Sequence, residues 1–258
     1  MATDTWDPDQ YERFERQRSL PFFDLLELVE PCPRGRVVDL GCGTGELTRR
    51  LHDWTRAATT VGLDSSQAML ERSAEHAGDG LTFELADIAD WIPREPLDVI
   101  FSNAALQWLD DHDALFARLT AALAPGGQLA VQMPANHDHP SHLAAERVAA
   151  EEPFRTALGG YVRRSPVLPP ERYAHLLHRL GYASQQVRLY VYLHVLPAAE
   201  VVVEWVKGTL LTDYRQRLSD ELYEDFVARY REQLLAELPD ERPFPFSFKR
   251  VLLWGRLA

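Results

Sequence analysis

The chain has 258 residues, of which 46% are hydrophobic, 26% charged and 10% aromatic; this closes a sizeable core and excludes a disordered or collagen-like protein. Lys+Arg of 27 against Asp+Glu of 39 leaves a formal net charge of -12, which argues against a general nucleic-acid binder, a role that rests on a basic surface neutralising phosphates. The surplus is uneven: 25 acidic and 12 basic residues fall in the first 150 positions, 14 and 15 in the rest.

Met1 to Asp7 is acidic and lacks the apolar stretch of a signal peptide, and no later run approaches the roughly 18 apolar residues of a membrane span. With only Cys32 and Cys42, a disulfide framework is not expected, so the natural compartment is the cytoplasm. Residues 9 to 30 read as a helix, from Tyr11, Phe14 and Arg18 and then Phe22, Leu25, Leu26 and Val29 at helical spacing, stopped by Pro31-Cys32-Pro33. Arg36 to Leu40 is a short strand that meets Gly41-Cys42-Gly43-Thr44-Gly45, and Glu46 to Leu51 resumes a helix.

The alternation continues with strands at Thr59–Leu63, Leu81–Leu85, Leu97–Ser102 and Gln128–Gln132. Between them lie helices at Ser66–Ala77 and Ala114–Leu123, the latter closed by Pro125-Gly126-Gly127. Strands separated by helices of this length imply an α/β fold: a parallel sheet with right-handed crossovers and helices on both faces, its ligands at the carboxyl ends of the strands. Beyond Pro134 the spacing predicts helices near Ser141–Glu151, Pro170–Leu180, Ala198–Leu211 and Ser219–Leu238, a strand over Gln185–Leu196 and a final strand over Phe248–Leu257. With no repeat or low-complexity tract, residues 1–258 read as a single domain whose later segments cap the strand ends.

Gly41, Gly43 and Gly45 lie between strand and helix, where a missing β-carbon lets the backbone turn sharply and approach a ligand. Glu46 occupies the place of the third glycine of the dinucleotide fingerprint, which disfavours a nicotinamide. Asp39, just before the turn, is unwelcome to a pyrophosphate but suits a ligand carrying an ammonium and a sulfonium. Asp64 ends the second strand, where a carboxylate accepts ribose hydroxyls. Asp87 ends the third, placed for an adenine amino group, with Ile88 against the ring.

With Val-Val-Asp-Leu-Gly-Cys-Gly-Thr-Gly, Gly-Leu-Asp-Ser-Ser and Ala-Asp-Ile in place, residues 36–134 resemble the class I S-adenosylmethionine-dependent methyltransferases. The chain is more closely similar to the trans-aconitate methyltransferases. That likeness runs through Trp6-Asp7-Pro8, Tyr11, Phe14 and Arg18, then Ser102-Asn103-Ala104-Ala105-Leu106-Gln107-Trp108-Leu109, Pro140-Ser141-His142 and Glu204-Trp205-Val206-Lys207-Gly208-Thr209. The resemblance implies a Rossmann-like seven-stranded sheet, mostly parallel with an antiparallel last strand, plus a helical cap. Residues 36–134 would bind the cofactor, 1–30 form a lid helix, and 135–184 and 197–247 hold the substrate.

It further implies S-adenosyl-L-methionine as cofactor, held by Asp39, Gly41, Cys42, Gly43, Gly45, Asp64, Ser65, Met69, Asp87, Ile88, Asn103 and Ala104. Tyr11 and Arg18 would close over it, Arg suiting bidentate carboxylate binding. The implied reaction is transfer of a methyl group to a carboxylate oxygen of a small polycarboxylic acid, trans-aconitate first, leaving S-adenosyl-L-homocysteine. Such an acid has a pKa near 4 and is already ionised, so no acid or base residue is required and alignment dominates.

The anionic substrate calls for cations, and with only two lysines, Lys207 and Lys249, the candidates are Arg163, Arg164 and Lys207, with Gln107, Trp108, His137 and Tyr161 completing the pocket. His137, His139 and His142 lie in a loop without a convincing fourth ligand, so no metal is expected. Thr209-Leu210-Leu211-Thr212-Asp213 stands where the family tends to continue with glycine, arginine and proline, and Pro243 to Phe248 is aromatic. Another small acid, a malonyl-type thioester or a small hydroxyl compound is the alternative substrate, and for a hydroxyl His137 is the base to inspect; a cofactor-binding protein without turnover is the non-enzymatic alternative. The expected partner is a small carboxylic acid, with no nucleic acid and no membrane, and the expected state a monomer or weak dimer.

Overall fold

The computed structural model describes residues 15–258, with side chains from Ser19 onward. Helix α1 (Glu15–Leu26) leads into β1 (Arg36–Leu40), α2 (Glu46–Thr55), β2 (Thr59–Asp64), α3 (Gln67–Ser73), β3 (Leu81–Leu85), β4 (Leu97–Asn103), α4 (His112–Ala121) and β5 (Leu123–Pro134). The remainder holds α5 (Pro140–Ala149), α6 (Phe154–Ala157), α7 (Pro170–Arg179), β6 (Tyr182–Leu196), α8 (Val201–Lys207), α9 (Thr212–Arg217), α10 (Asp220–Glu237) and β7 (Phe244–Leu257). The strands form one seven-stranded sheet in the order β3-β2-β1-β4-β5-β7-β6. Strands β1 to β5 are parallel, and β7 runs antiparallel between β5 and β6. The order reverses between β1 and β4, so the crevice at their carboxyl ends is the switch point where open α/β sheets bind ligands.

Consecutive residues of the central strands serve opposite faces. Val37, Val99, Phe101, Ala130 and Leu252 pack with Phe22 and Leu25 of α1 and Leu51 of α2. Their neighbours Val38, Ile100, Leu129, Val131, Val251 and Leu253 pack with Leu115, Phe116 and Leu119 of α4 and Tyr173, Leu176 and Leu177 of α7. Burial on both faces is why these strands read as continuous apolar runs. A third cluster forms the cap. It joins Ala144, Ala145 and Val148 of α5, Val202, Trp205 and Val206 of α8, Phe226, Tyr230 and Leu234 of α10, and Phe244, Phe246 and Phe248 at the start of β7.

The structure departs from the expected elements in several places, among them β6, which begins at Tyr182 instead of Gln185, and the helix expected over Ala198–Leu211, which spans only Val201–Lys207. Strand β5 begins at Leu123, opposite Leu97, and a register shift between Leu97 and Val99 carries it past Gly126 (φ +73°) before it rejoins at Gln128. Strand β7 starts at Phe244 instead of Phe248, because its first residues pair with β6 alone, where prolines are tolerated. Helices α6 and α9 were not expected; they are four and six residues long, and each buries one aromatic side chain, Phe154 and Tyr214. Among the described residues no helix is long and apolar enough to cross a membrane.

Candidate active site

The β1–α2 turn is built by backbone geometry. Gly41 and Gly45 both sit at φ +81°, and the N–H groups of Gly41 and Cys42 donate to Leu63 O of β2 at 2.8 and 2.9 Å. A β-carbon on Gly41 would lie 2.3 Å from Ala105 Cβ, and one on Gly45 2.6 Å from Phe83. Gly43 (φ +56°) would meet nothing within 4 Å, because it faces open space. Asp64 ties the turn to the next loop: Oδ2 accepts from Gly43 N and Oδ1 from Ser66 N, each at 2.9 Å.

These groups border a cavity of about 300 Å³ lined by Gly41, Gly43, Asp64, Ser65, Met69, Asp87, Ile88, Asn103, Ala104, Ala105 and Trp108, with Asp213 and Gln216 from the cap. Arg118 of α4 fixes the loop beyond β3, donating to Ile88 O at 2.8 Å and Trp91 O at 2.6 Å. Ala104 holds φ +58°, its N–H on Gln132 O at 2.9 Å, while Gln107 Nε2 donates to Ala104 O at 2.7 Å. That conformation, costly for a residue with a β-carbon, turns Asn103 and Ala104 into a wall.

On the far side of this wall lies a second cavity of about 130 Å³, again lined by Asn103, Ala104 and Trp108, together with Gln107, Asn136, His137, His142, Glu146, Arg163, Trp205, Phe248 and Arg250. Arg163 lies 4.4 Å over the Trp108 ring and pairs with Asp213 at 2.6 Å, linking a residue of each cavity. The buried atoms Asn103 Oδ1, Gln107 Oε1, Asn136 Nδ2 and His137 Nδ1 have no hydrogen-bond partner in the protein. Burial pushes the His142 imidazole down to about 3, with the charges of its His neighbours and Arg163 adding to the fall. His139 instead caps α5, accepting from Ser141 N at 3.1 Å, and the Ser141 hydroxyl lies between His139 Nδ1 and His142 Nδ1 at 2.9 and 3.2 Å.

Several expected residues stand elsewhere. Asp39 is 3% exposed beneath the turn and accepts from Thr48 Oγ1 at 2.6 Å, so it buttresses the loop rather than lining the cavity. Burial lifts its carboxyl to about 7, the Thr48 hydroxyl opposing the rise and the Asp64 charge adding to it. Cys42 is buried, its thiol pushed up by burial and by Asp39 and Asp64, and Gly45 starts α2 away from the cavity walls. Tyr161 donates to Asp213 at 3.3 Å and carries the Arg217 guanidinium 3.9 Å from its ring. Arg164 is exposed, and Lys207 is paired with Glu204 at 3.1 Å. Neither borders the second cavity, because the chain turns Arg163 inward and Lys207 faces its own helix. Tyr11 and the Arg18 side chain lie outside the described residues.

Asn136, Glu146, Arg250 and Asp213 were not picked out from the sequence. In a single chain each is one polar residue among many, and they are drawn together only where β7 pairs with β5 and the cap helices pack on one another.

Residues 37–127 match the family described as a methyltransferase domain. The trans-aconitate 2-methyltransferase of Deinococcus radiodurans is 47% identical over 254 residues, 96% of each chain. That of Variovorax paradoxus is 41% identical over 256 residues, 98% of this chain and 96% of the relative. Among solved structures, the YcgJ protein of Bacillus subtilis aligns with a TM-score of 0.60 at 14% identity, covering 93% of this chain and 98% of that one. Phosphoethanolamine N-methyltransferase 2 of Haemonchus contortus, solved with S-adenosyl-L-methionine, aligns at 0.54 and 19% identity over 92% of this chain and 52% of that one. At such identities the two structures speak for the fold. Sequence identity above 40% across nearly the whole length speaks for more: the chain belongs to the trans-aconitate 2-methyltransferase family.

Proposed function

We propose that this protein transfers the methyl group of S-adenosyl-L-methionine to a carboxylate oxygen of trans-aconitate, giving the monomethyl ester and S-adenosyl-L-homocysteine. The observation that carries this reading is the common wall of Asn103, Ala104 and Trp108, which sets a cavity with nucleoside-type features against one lined by arginines. The family relatives support the same assignment.

The residues present fit the cofactor. Gly43 faces open space where a ligand approaches the backbone, Asn103 Oδ1 is a buried acceptor awaiting a donor, and Asp64 and Asp87 supply carboxylates to a cationic nucleoside. When bound, S-adenosyl-L-methionine supplies an electrophilic methyl on a sulfonium, already a good leaving group. The chain's own task is positional. Asp64 holds the glycine turn open, Arg118 fixes the Ile88 loop, and the 103–104 backbone sets the wall across which an acid oxygen must be aimed. Alignment of this kind contributes on the order of 7 to 11 kcal/mol. No side chain need remove a proton, because the acid arrives ionised.

On this reading residues 36–134 hold the donor, and the segments 135–184 and 197–247, together with β7, hold the acid, within one domain. Reading the protein as cytoplasmic rests on its two unpaired cysteines and on the absence, among the described residues, of a membrane-spanning helix. A monomer or weak dimer with no nucleic-acid partner agrees with the acidic surplus.

The test is incubation with methyl-labelled donor and a panel of small acids. Label extracted as the trans-aconitate ester is the expected result, with a rate nearly flat between about pH 6 and pH 8 at saturating donor, since a carboxylate needs no base. Label that stays on the donor with every acid overturns the reading.

A further inference from the structure

The second cavity is lined by two arginines, Arg163 and Arg250. Arg163 meets Asp213 at 2.6 Å and lies 4.4 Å over the Trp108 ring. Arg250 comes from β7, where it pairs across the ladder with Pro134 at the end of β5. It is 5% exposed, its Nη1 donates to Gln132 Oε1 at 3.3 Å, and its guanidinium lies 5.0 Å from the centre of the Phe248 ring. A planar guanidinium held beside an aromatic ring and away from water attracts an anion far more strongly than one at the surface, and its fork matches a carboxylate.

The same crossing of β5 and β7 positions Asn136. Its Oδ1 accepts from Lys249 N at 3.1 Å, the residue before Arg250, and this settles which end of the amide carries the nitrogen. Nδ2 is left without a partner on a side chain that is 2% exposed and lines the cavity. A buried donor without an acceptor is costly, and the cost is recovered when a ligand supplies the oxygen. His194, near Arg250, is pushed down to about 4 by burial and by the Arg250 charge, so at neutral pH it stays uncharged, as His142 does. Glu146 is the acid on this cavity's wall among the described residues.

We infer that Arg250 and Asn136 form the seat for a carboxylate of the substrate that does not react, so the enzyme selects acids carrying a second ionised carboxylate. The inference rests on the proposed methyl transfer to a small acid and assigns which residues set its specificity. The reacting carboxylate is then the one directed toward Asn103 and Ala104, while the seated one fixes the acid's register.

The test titrates trans-aconitate, citrate and the monocarboxylate crotonate into protein saturated with S-adenosyl-L-homocysteine, following the fluorescence of Trp108 and Trp205, which line the cavity. Arg250→Gln is expected to weaken trans-aconitate binding about 100-fold and to erase the preference over crotonate, with Arg250→Lys recovering part of it. Asn136→Asp keeps the acceptor for Lys249 N but replaces the donor with an anion, and is expected to weaken binding at least 10-fold. S-adenosyl-L-homocysteine affinity should stay within about twofold in each variant, which separates loss of the seat from loss of the fold. Trans-aconitate binding unchanged in Asn136→Asp, or in Arg250→Gln with donor-site affinity intact, overturns the seat; if Arg250→Gln does not fold, Asn136→Asp decides alone. Wild-type protein that binds the acids with these losses yet never methylates them overturns the reaction and leaves the seat standing; methylation with unaffected variants does the reverse.

Discussion

The two cavities share a wall but are made by different means. Around the first, glycines, strand-end carboxylates and main-chain N–H groups between Gly41 and Asn103 do most of the work, each set by a turn of a few residues. The second draws side chains from the 103–108 turn, α5, the 161–165 loop, α8 and β7, which together span more than 140 residues of the chain. A site built from backbone tolerates few residue types at each position, whereas one built from side chains on a packed cap tolerates many. The difference predicts that substitutions will act in distinct ways on the two sides of the wall.

The largest effect belongs to the backbone-built side. Gly41→Ala forces a β-carbon to within 2.3 Å of Ala105 at φ +81°, so donor binding should fall more than about 100-fold by calorimetric titration. Retained affinity would show that the turn relaxes and would undo the contrast. Asp64→Ala removes the carboxylate that joins Gly43 N to Ser66 N and faces the donor cavity, a loss of about 1 to 3 kcal/mol in donor affinity, or roughly 5- to 150-fold.

A subtler change concerns Asp39, whose folded carboxyl is lifted to about 7 from an ordinary 3.8. Between those values the folded protein holds a proton that the unfolded chain has released. The contribution therefore favours folding at low pH and fades as pH rises through about 7. Asp39→Asn should flatten that slope, so its melting temperature relative to wild type should improve as pH rises from about 4 to about 7 in differential scanning. An unchanged difference from about pH 4 to about pH 7 would mean that Asp39 titrates as it does in the unfolded chain. The smallest effects are expected for Arg164→Ala and Lys207→Ala, less than about twofold in KM for the acid, because one is exposed and the other is engaged by Glu204. A tenfold rise in either would place the acid outside the second cavity.

Much of the fold was legible for a physical reason. Strands such as Val37–Val38 and Val99–Ile100–Phe101 are buried on both faces and so are apolar throughout, and the glycine turn between β1 and α2 has few alternative conformations. The start of β7 was hidden because Pro243 and Pro245 read as punctuation, although Pro245 lies where β7 pairs with β6 alone. Helix α9 was hidden because its six residues bury only Tyr214. In the site, Asp64 and Asp87 could be found from where their strands end. Arg250 could not, because nothing local marks a strand arginine as buried; Phe248 is its neighbour along β7, but Gln132 reaches it only after β7 inserts beside β5.

The partition at Asn103, Ala104 and Trp108 governs how such an enzyme can diversify. A change in any of those three residues alters the fit of both guests at once, so it puts the methyl supply at risk whenever it reshapes the recipient's berth. Residues such as Asn136, Glu146 and Arg250 border one chamber only. New acids are therefore reached most safely by altering the roof and the last strand while the party wall stays as it is, which leaves one methyl-transfer engine free to serve many recipients.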